Sequence, residues 1–206
     1  MLTVVGVHEG MTVLDVGGNP ATWSNPSIPK LNITILNLPG GVERMSDSRH
    51  DITYVEGDGC DIANVIDHSF DFVFSNSVIE HVGGADRQAA FAHEIRRVGK
   101  AYWVQTPSLW FPVEAHTGMP WWWCYPRFVQ RWFVTSWNKK LPEWTEMIKG
   151  TTVLKKSDVR TLFPEATVLV ERVLGIPKSY IAVQIPMEVV IPDGVRLPRP
   201  ARNSCN

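Results

Sequence analysis

Short apolar runs, each stopped by glycine, proline or small polar residues, punctuate the first half of the chain. In "MTVLDVGG", Val13, Leu14 and Val16 are apolar and Gly17 and Gly18 end the run, the pattern of a buried strand closing in a turn. "ITILNL" (33–38) reads as a second strand, closed by Pro39, Gly40 and Gly41, and "ITYVEGD" (52–58) as a third. "FDFVFSNS" (70–77) is a fourth, and "KAYWVQTP" (100–107) a fifth, stopped by Pro107. Between these last two, Phe91, Ile95 and Val98 recur at helical spacing and predict a helix over 85–98. Arg96 and Arg97 suit its C-terminal dipole, and Gly99 is expected to supply a left-handed cap. Strands separated by segments able to hold crossover helices imply an α/β fold: a doubly wound, mainly parallel sheet with helices on both faces.

The rhythm changes after Pro107. Trp110, Trp121, Trp122, Trp123, Trp132, Trp137 and Trp144, seven of the nine tryptophans, crowd into residues 108–150. A helix is expected from Pro126, with Phe128, Val129, Trp132, Phe133 and Trp137 on one side and Arg127, Gln130 and Arg131 on the other. Ser157 should cap a short helix ending before Pro164, and "EATVLVERV" (165–173) with "SYIAVQI" (179–185) should form a closing antiparallel pair. The organisation expected is therefore a core over 1–107, an aromatic cap over 108–150 within the same domain, closing elements over 151–185 and a proline-rich tail over 186–206.

Bulk properties narrow the class. A chain of 206 residues is most simply one domain with a substantial core. Its net charge of −1 gives no reason to expect general nucleic-acid binding. Cys60, Cys124 and Cys205 are odd in number and form no CxxC pair, so reduced thiols and a cytoplasmic setting are expected. No apolar stretch approaches 18 residues, so neither a signal peptide nor a membrane span is expected.

The strand ends carry the candidate chemistry. In an open α/β sheet, ligands bind outside the carboxyl ends of the strands, near the reversal of strand order. The first strand ends at Asp15, Gly17 and Gly18, where glycines let a ligand approach the backbone, although an ordinary tight turn would look the same. The second ends at Asn37 and Leu38, 22 residues beyond Asp15 (37 minus 15), where a ribose-binding side chain would sit. The third ends at Asp58 and Gly59, with the carboxylate a plausible partner for an adenine amino group, and the fourth at Ser75, Asn76 and Ser77. Four such ends in register point to a nucleoside site, while no GxGxxG and no P-loop is present.

The series "VLDVGG", "ILNL", "YVEGDGCDI" and "FDFVFSNSVIEHV" resembles a class I S-adenosylmethionine-dependent methyltransferase of the broad type-11 group, over roughly residues 11–117. The resemblance implies a Rossmann-like fold, S-adenosyl-L-methionine as cofactor, and a soluble transferase. It implies that Asp15, Gly17 and Gly18 lie against the methionine moiety and Asn37 and Leu38 next to the adenosine. Asp58, Gly59 and Cys60 would form the adenine-side loop, and Ser75, Asn76, Ser77 and Val78 the motif after the fourth strand. Two departures stand out: Asn37 replaces the usual ribose-binding acid, and the second glycine of the first motif is displaced.

Methyl transfer from a sulfonium asks the protein mainly to hold two reactants in line and exclude water. A base is needed only where the acceptor must lose a proton. His81, Glu114 and His116 are the candidates; each has an alternative role, His81 in a turn or the cofactor pocket and the other two in anchoring their loop. Their spacing matches no metal motif, and no metal is expected. The aromatic segment is expected to cap a small-molecule, lipid or glycan acceptor, to form a second small core, or to make peripheral membrane contact. A binding protein that transfers nothing is the rival reading, and a nicotinamide-dependent oxidoreductase is disfavoured by the missing GxGxxG.

Overall fold

The computed structural model describes residues 6–41, 44–45, 49–113 and 118–185. Seven strands form one sheet: β1 (Thr12–Val16), β2 (Asn32–Asn37), β3 (Asp51–Glu56), β4 (Phe72–Asn76), β5 (Tyr102–Pro107), β6 (Thr167–Val173) and β7 (Ile176–Gln184). Their order is β3-β2-β1-β4-β5-β7-β6. The first five are parallel, and β7 inserts antiparallel between β5 and β6. Strand order reverses beside β1, so the connections leaving β1 and β4 part there and open a crevice at the carboxyl ends. The α/β class and the antiparallel closing pair follow the sequence pattern.

Helices cover the two faces unequally. On one face, α1 (Ala85–Val98) buries Phe91, Ala92, Ile95 and Val98 against Leu14, Val16, Val73 and Val104, and α4 (Lys156–Leu162) adds Val159. The other face is covered through Trp23, Ile28 and Leu31, which pack on Val13, Ile33, Ile35, Phe72 and Phe74. These come from the β1–β2 connection, whose only helical piece is a single 3-10 turn, Pro20–Trp23. Pro20, Pro26 and Pro29 deny that segment the backbone donors and dihedral freedom of a longer helix. The doubly wound class stands, with this connection contributing only that short turn to its face.

The β3–β4 connection also lacks a helix and is held instead by α1. Glu94 accepts a hydrogen bond from the Ile62 N–H at 2.9 Å, and Arg97 donates to the Ile62 and Val65 carbonyls while pairing with Glu94 and Asp67. Arg97 thus ties down a loop, beyond any effect on the helix dipole. Gly99 follows α1 in extended conformation, with φ of −98°, and the expected left-handed cap is absent. Ser157 lies inside α4; the Asp158 carboxylate accepts from the Lys155 N–H at 2.8 Å and performs the capping.

The aromatic segment folds as α2 (Arg127–Asn138) and α3 (Pro142–Gly150). Trp122 meets Phe133 edge-on at 6.2 Å and Trp137 at a tilt at 5.1 Å, and Trp137 meets Trp144 edge-on at 5.1 Å. This small aromatic core joins the sheet through the end of α3. The Thr152 N–H donates to the Glu80 carbonyl at 2.7 Å, and Gln88 Nε2 donates to the Thr152 carbonyl at 2.9 Å. The one-sided helix expected from residue 126 is corrected: Phe133 and Trp137 face inward, while Phe128 and Trp132 are exposed. The proline-rich tail, with Cys205, lies outside the described residues.

Ile95 is fully buried at the centre of the α1 contact with the sheet. Ile95→Ala is expected to cost about 2–5 kcal/mol of unfolding free energy through lost burial and a residual cavity. Urea denaturation of the full chain, followed by far-ultraviolet circular dichroism, measures it.

Candidate functional site

A crevice of about 310 Å³ opens at the carboxyl ends of β1 to β4. Its lining includes Gly17 from β1, Asn37 and Leu38 from β2, Asp58 and Gly59 after β3, and Ser77, Val78 and His81 after β4. Arg87 and Phe91 of α1 complete one side. A second cavity of about 460 Å³ lies beyond β4 and β5, lined by Asn76, Gln105, Ser108, Phe111 and Lys178 among others. Ser77 lines both. It adopts φ of +56°, a left-handed conformation unusual outside glycine, and its N–H donates to the Gln105 carbonyl at 2.9 Å.

The floor of the crevice is built from beneath. Gly17 has φ of +70°, and a Cβ there would lie 2.5 Å from Val78 Cγ2. A Cβ on Gly18 would overlap the Asp15 carboxyl group. Both positions therefore exclude side chains, and the turn keeps its backbone open to the crevice. Asp15 itself is fully buried and does not line the crevice. Its Oδ2 accepts a hydrogen bond from Trp23 Nε1 at 2.7 Å, while Oδ1 has no partner among the described residues. Burial pushes this carboxyl up to about 7, the indole hydrogen bond working in the opposite direction.

Asn37 explains one departure noted in the sequence. Its Oδ1 accepts from the Leu38 N–H at 2.9 Å, and its Nδ2 donates to the Gly18 carbonyl at 3.4 Å. A carboxylate here would face that carbonyl without a proton to donate, so the amide joins the end of β2 to the glycine turn. Asp58 accepts from the Cys60 N–H at 2.9 Å and from Arg87 Nη2 at 2.7 Å. Burial raises its carboxyl, but Arg87 and the Cys60 N–H outweigh this and hold it below the usual carboxylate range. The Asp58–Arg87 pair forms a polar edge on the loop that follows β3. Cys60 is buried outside the lining, and burial pushes its thiol up to about 11, so it stays protonated near neutrality.

Of the residues after β4, Ser75 is buried and donates from Oγ to the Val16 carbonyl at 3.1 Å, away from both cavities. Asn76 belongs to the second cavity alone. His81 lies 3.1 Å from Thr151 Oγ1 through Nδ1, and Thr151 Oγ1 sits 2.9 Å from the Met147 carbonyl. With the hydroxyl proton on that carbonyl, the imidazole Nδ1–H donates to Thr151 and binds the end of α3 to the crevice wall. His81 Nε2 lies 3.9 Å from Glu80 Oε1, and Glu80, fully buried, accepts from Thr106 Oγ1 at 2.9 Å. Glu114 and His116 lie outside the described residues. Sequence reasoning missed Trp23, Glu80, Arg87, Phe91 and Thr151. Only Arg87 and Phe91, one turn apart in the helix that follows β4, carried a sequence signal.

A methyltransferase-domain family model matches residues 33–101, the stretch that holds β2 to β4, α1 and most of the crevice wall. No curated protein matches the chain. Among solved structures, the chain is similar to a putative methyltransferase from Haloferax volcanii determined in complex with the Trm112 methyltransferase activator. Identity there is 13%, coverage is 90% of this chain and 87% of that one, and the TM-score is 0.55. It is also similar to an O-methyltransferase family protein from Burkholderia thailandensis, at 14% identity, 91% and 55% coverage and a TM-score of 0.51. A protein named as a putative Zn-dependent alcohol dehydrogenase from Rhodobacter sphaeroides gives 0.54 at 11% identity, with 88% and 86% covered. At such identities these likenesses show the fold.

Because the Asp15 carboxyl is held up near 7 in the folded chain against 3.8 as its ordinary value, the native state binds the extra proton between about pH 4 and 7. That contribution to stability is complete below pH 4 and is lost as pH rises through 7, by a few kcal/mol at most. Urea midpoints measured from pH 4 to pH 8 should fall across this window, and Asp15→Asn should flatten the component that falls.

Proposed function

We propose that this chain is a class I S-adenosylmethionine-dependent methyltransferase, supported by the domain match and the fold, and that it seats its cofactor in the crevice and its acceptor in the adjoining cavity. The observation that carries the reading is Ser77, a single left-handed residue that lines both spaces. Two reactants held on either side of one backbone position are held adjacent, and methyl transfer requires that proximity before it can align them.

The residues present fit such a cofactor. The Gly17–Gly18 turn is a cradle that a Cβ on either glycine would fill, and the buried Asp15 Oδ1 below it still has acceptor capacity. Asn37 and Leu38 would hold the adenosine side, and Asp58, braced by Arg87, would take the adenine amino group through its remaining lone pairs. Gly59 keeps Phe91 and Val16 close beneath that loop, since a Cβ there would meet both below 3 Å. S-adenosylmethionine supplies a methyl group on a sulfonium leaving group, so the protein needs no nucleophile of its own.

His81 lines the crevice but not the acceptor cavity. We assign it first a positioning role, fixing the end of α3, and second that of a general base for an acceptor that must lose a proton. Glu114 and His116 remain proposed for the acceptor side, on the strength of their sequence position after β5. Asn76, Gln105, Ser108 and Lys178 offer an acceptor polar contacts beside the apolar Phe111 and Val113, which suits a small molecule, a lipid or a glycan.

Calorimetry with S-adenosylmethionine, S-adenosylhomocysteine and NAD tests the cofactor assignment. Both adenosyl ligands should bind and NAD should not; binding of NAD alone would overturn it. Gly18→Ala should abolish adenosyl binding through its overlap with Asp15. Asp58→Ala should weaken it about tenfold, the scale of one hydrogen bond to a charged group. Unchanged affinity in Asp58→Ala would remove the adenine-side role.

A further inference from the structure

α2 is twelve residues long and none of them is buried, although it holds two tryptophans and two phenylalanines. Phe133 and Trp137 are accounted for by Trp122 and Trp144. Trp132 touches Phe133 edge-on at 4.9 Å, yet it and Phe128, four residues apart on the helix, remain 68% and 75% exposed. Trp121, just before the helix, is also exposed. Residues 118–142 contain Arg127, Arg131, Lys139 and Lys140 and no aspartate or glutamate. No ion pair among the described residues engages any of these four. Beside them lies a groove of about 360 Å³, lined by Trp122, Arg127, Gln130, Arg131, Lys149 and Thr151 among others. Thr151 is the residue that holds His81, so the groove lies against the crevice wall.

We propose that α2 is a docking face for an anionic lipid bilayer, with Phe128 and Trp132 seated at the interface and the flanking cations on the headgroups. Charge complementarity selects this occupant. A second copy of the chain would set four cations against four cations across a symmetric contact. Anionic headgroups supply the missing counter-charge, and rings exposed at the same level as arginines and lysines suit the boundary between headgroup and acyl chain. The helix lies on the surface: among the described residues, no helix is long and apolar enough to cross a membrane. The groove then offers Arg127 and Arg131 to a phosphate-bearing headgroup a short way from the crevice.

Flotation of the full chain with vesicles decides the matter. The protein should float with vesicles containing phosphatidylglycerol and not with phosphatidylcholine alone, and raised salt should release it. Arg127→Glu and Arg131→Glu should each weaken binding by fivefold or more, following a cost on the order of fivefold per lost cation near an anionic surface. The double variant Phe128→Ser, Trp132→Ser should weaken it about tenfold or more by removing two interfacial rings. S-adenosylhomocysteine binding, measured by calorimetry on the same preparations, should be unchanged in all of these, which separates docking from folding and from the cofactor assignment. The proposal falls if wild-type protein does not float with phosphatidylglycerol vesicles, or if the double variant floats as well as wild type. It falls equally if light scattering shows that the double variant dissociates an oligomer, or if heparin and single-stranded RNA bind wild type and the double variant alike while vesicles do not compete.

Discussion

The hydrogen bond from Trp23 to the buried Asp15 carboxylate is the constraint on which the binding end of the sheet depends. The β1–β2 connection has no helix to carry it across the sheet, so the indole does that work, packing edge-on against Phe74 at 5.4 Å and anchoring to β1. The same carboxylate lies directly under Gly18 and sets how closely the turn can settle. One side chain thereby fixes both the loop that covers a bare face of the sheet and the backbone that a ligand meets. Its cost is a carboxyl group removed from water with one oxygen unpartnered, which explains why its proton affinity rises so far.

A parallel economy holds the rest of the crevice together. With no helix in the β3–β4 connection, α1 secures that loop through Glu94 and Arg97, and presents Arg87 and Phe91 to the crevice from its first turns. Among the described residues, the end of α3 is tied to the body of the fold by Thr151 to His81, Thr152 to Glu80 and Gln88 to Thr152. Each of these meets the segment 79–88 that leads out of β4. The end of α3 thus bears directly on the wall of the crevice.

Several features could be read from sequence because they depend on local periodicity. β1 to β5 appear as short apolar runs ended by glycine or proline, and α1 spans the residues its 3.6-residue spacing indicated. Gly17, Asn37, Asp58 and Ser77 line the crevice because strand ends in a parallel sheet converge by topology, whatever the side chains do. Asp15 and Ser75 were legible as members of the same motifs but not as buried supports, since a motif gives position along the strand and not which way a side chain turns beneath the turn. Trp23, Glu80 and Thr151 gave no local signal, because their partners lie 8, 26 and 70 residues away.

The chain by itself determined an α/β sheet, the order of its strands' endings, an aromatic segment after β5 and a cofactor class, since apolar period and turn chemistry act over a few neighbouring residues. Only the tertiary structure decided which polar groups face the crevice and which are sealed beneath it. It also decided that α2 turns Phe128 and Trp132 outward while Phe133 and Trp137 build the cap's core. These outcomes depend on what packs against each side chain from distant parts of the chain, and burial, unlike periodicity, is a property of the assembled molecule.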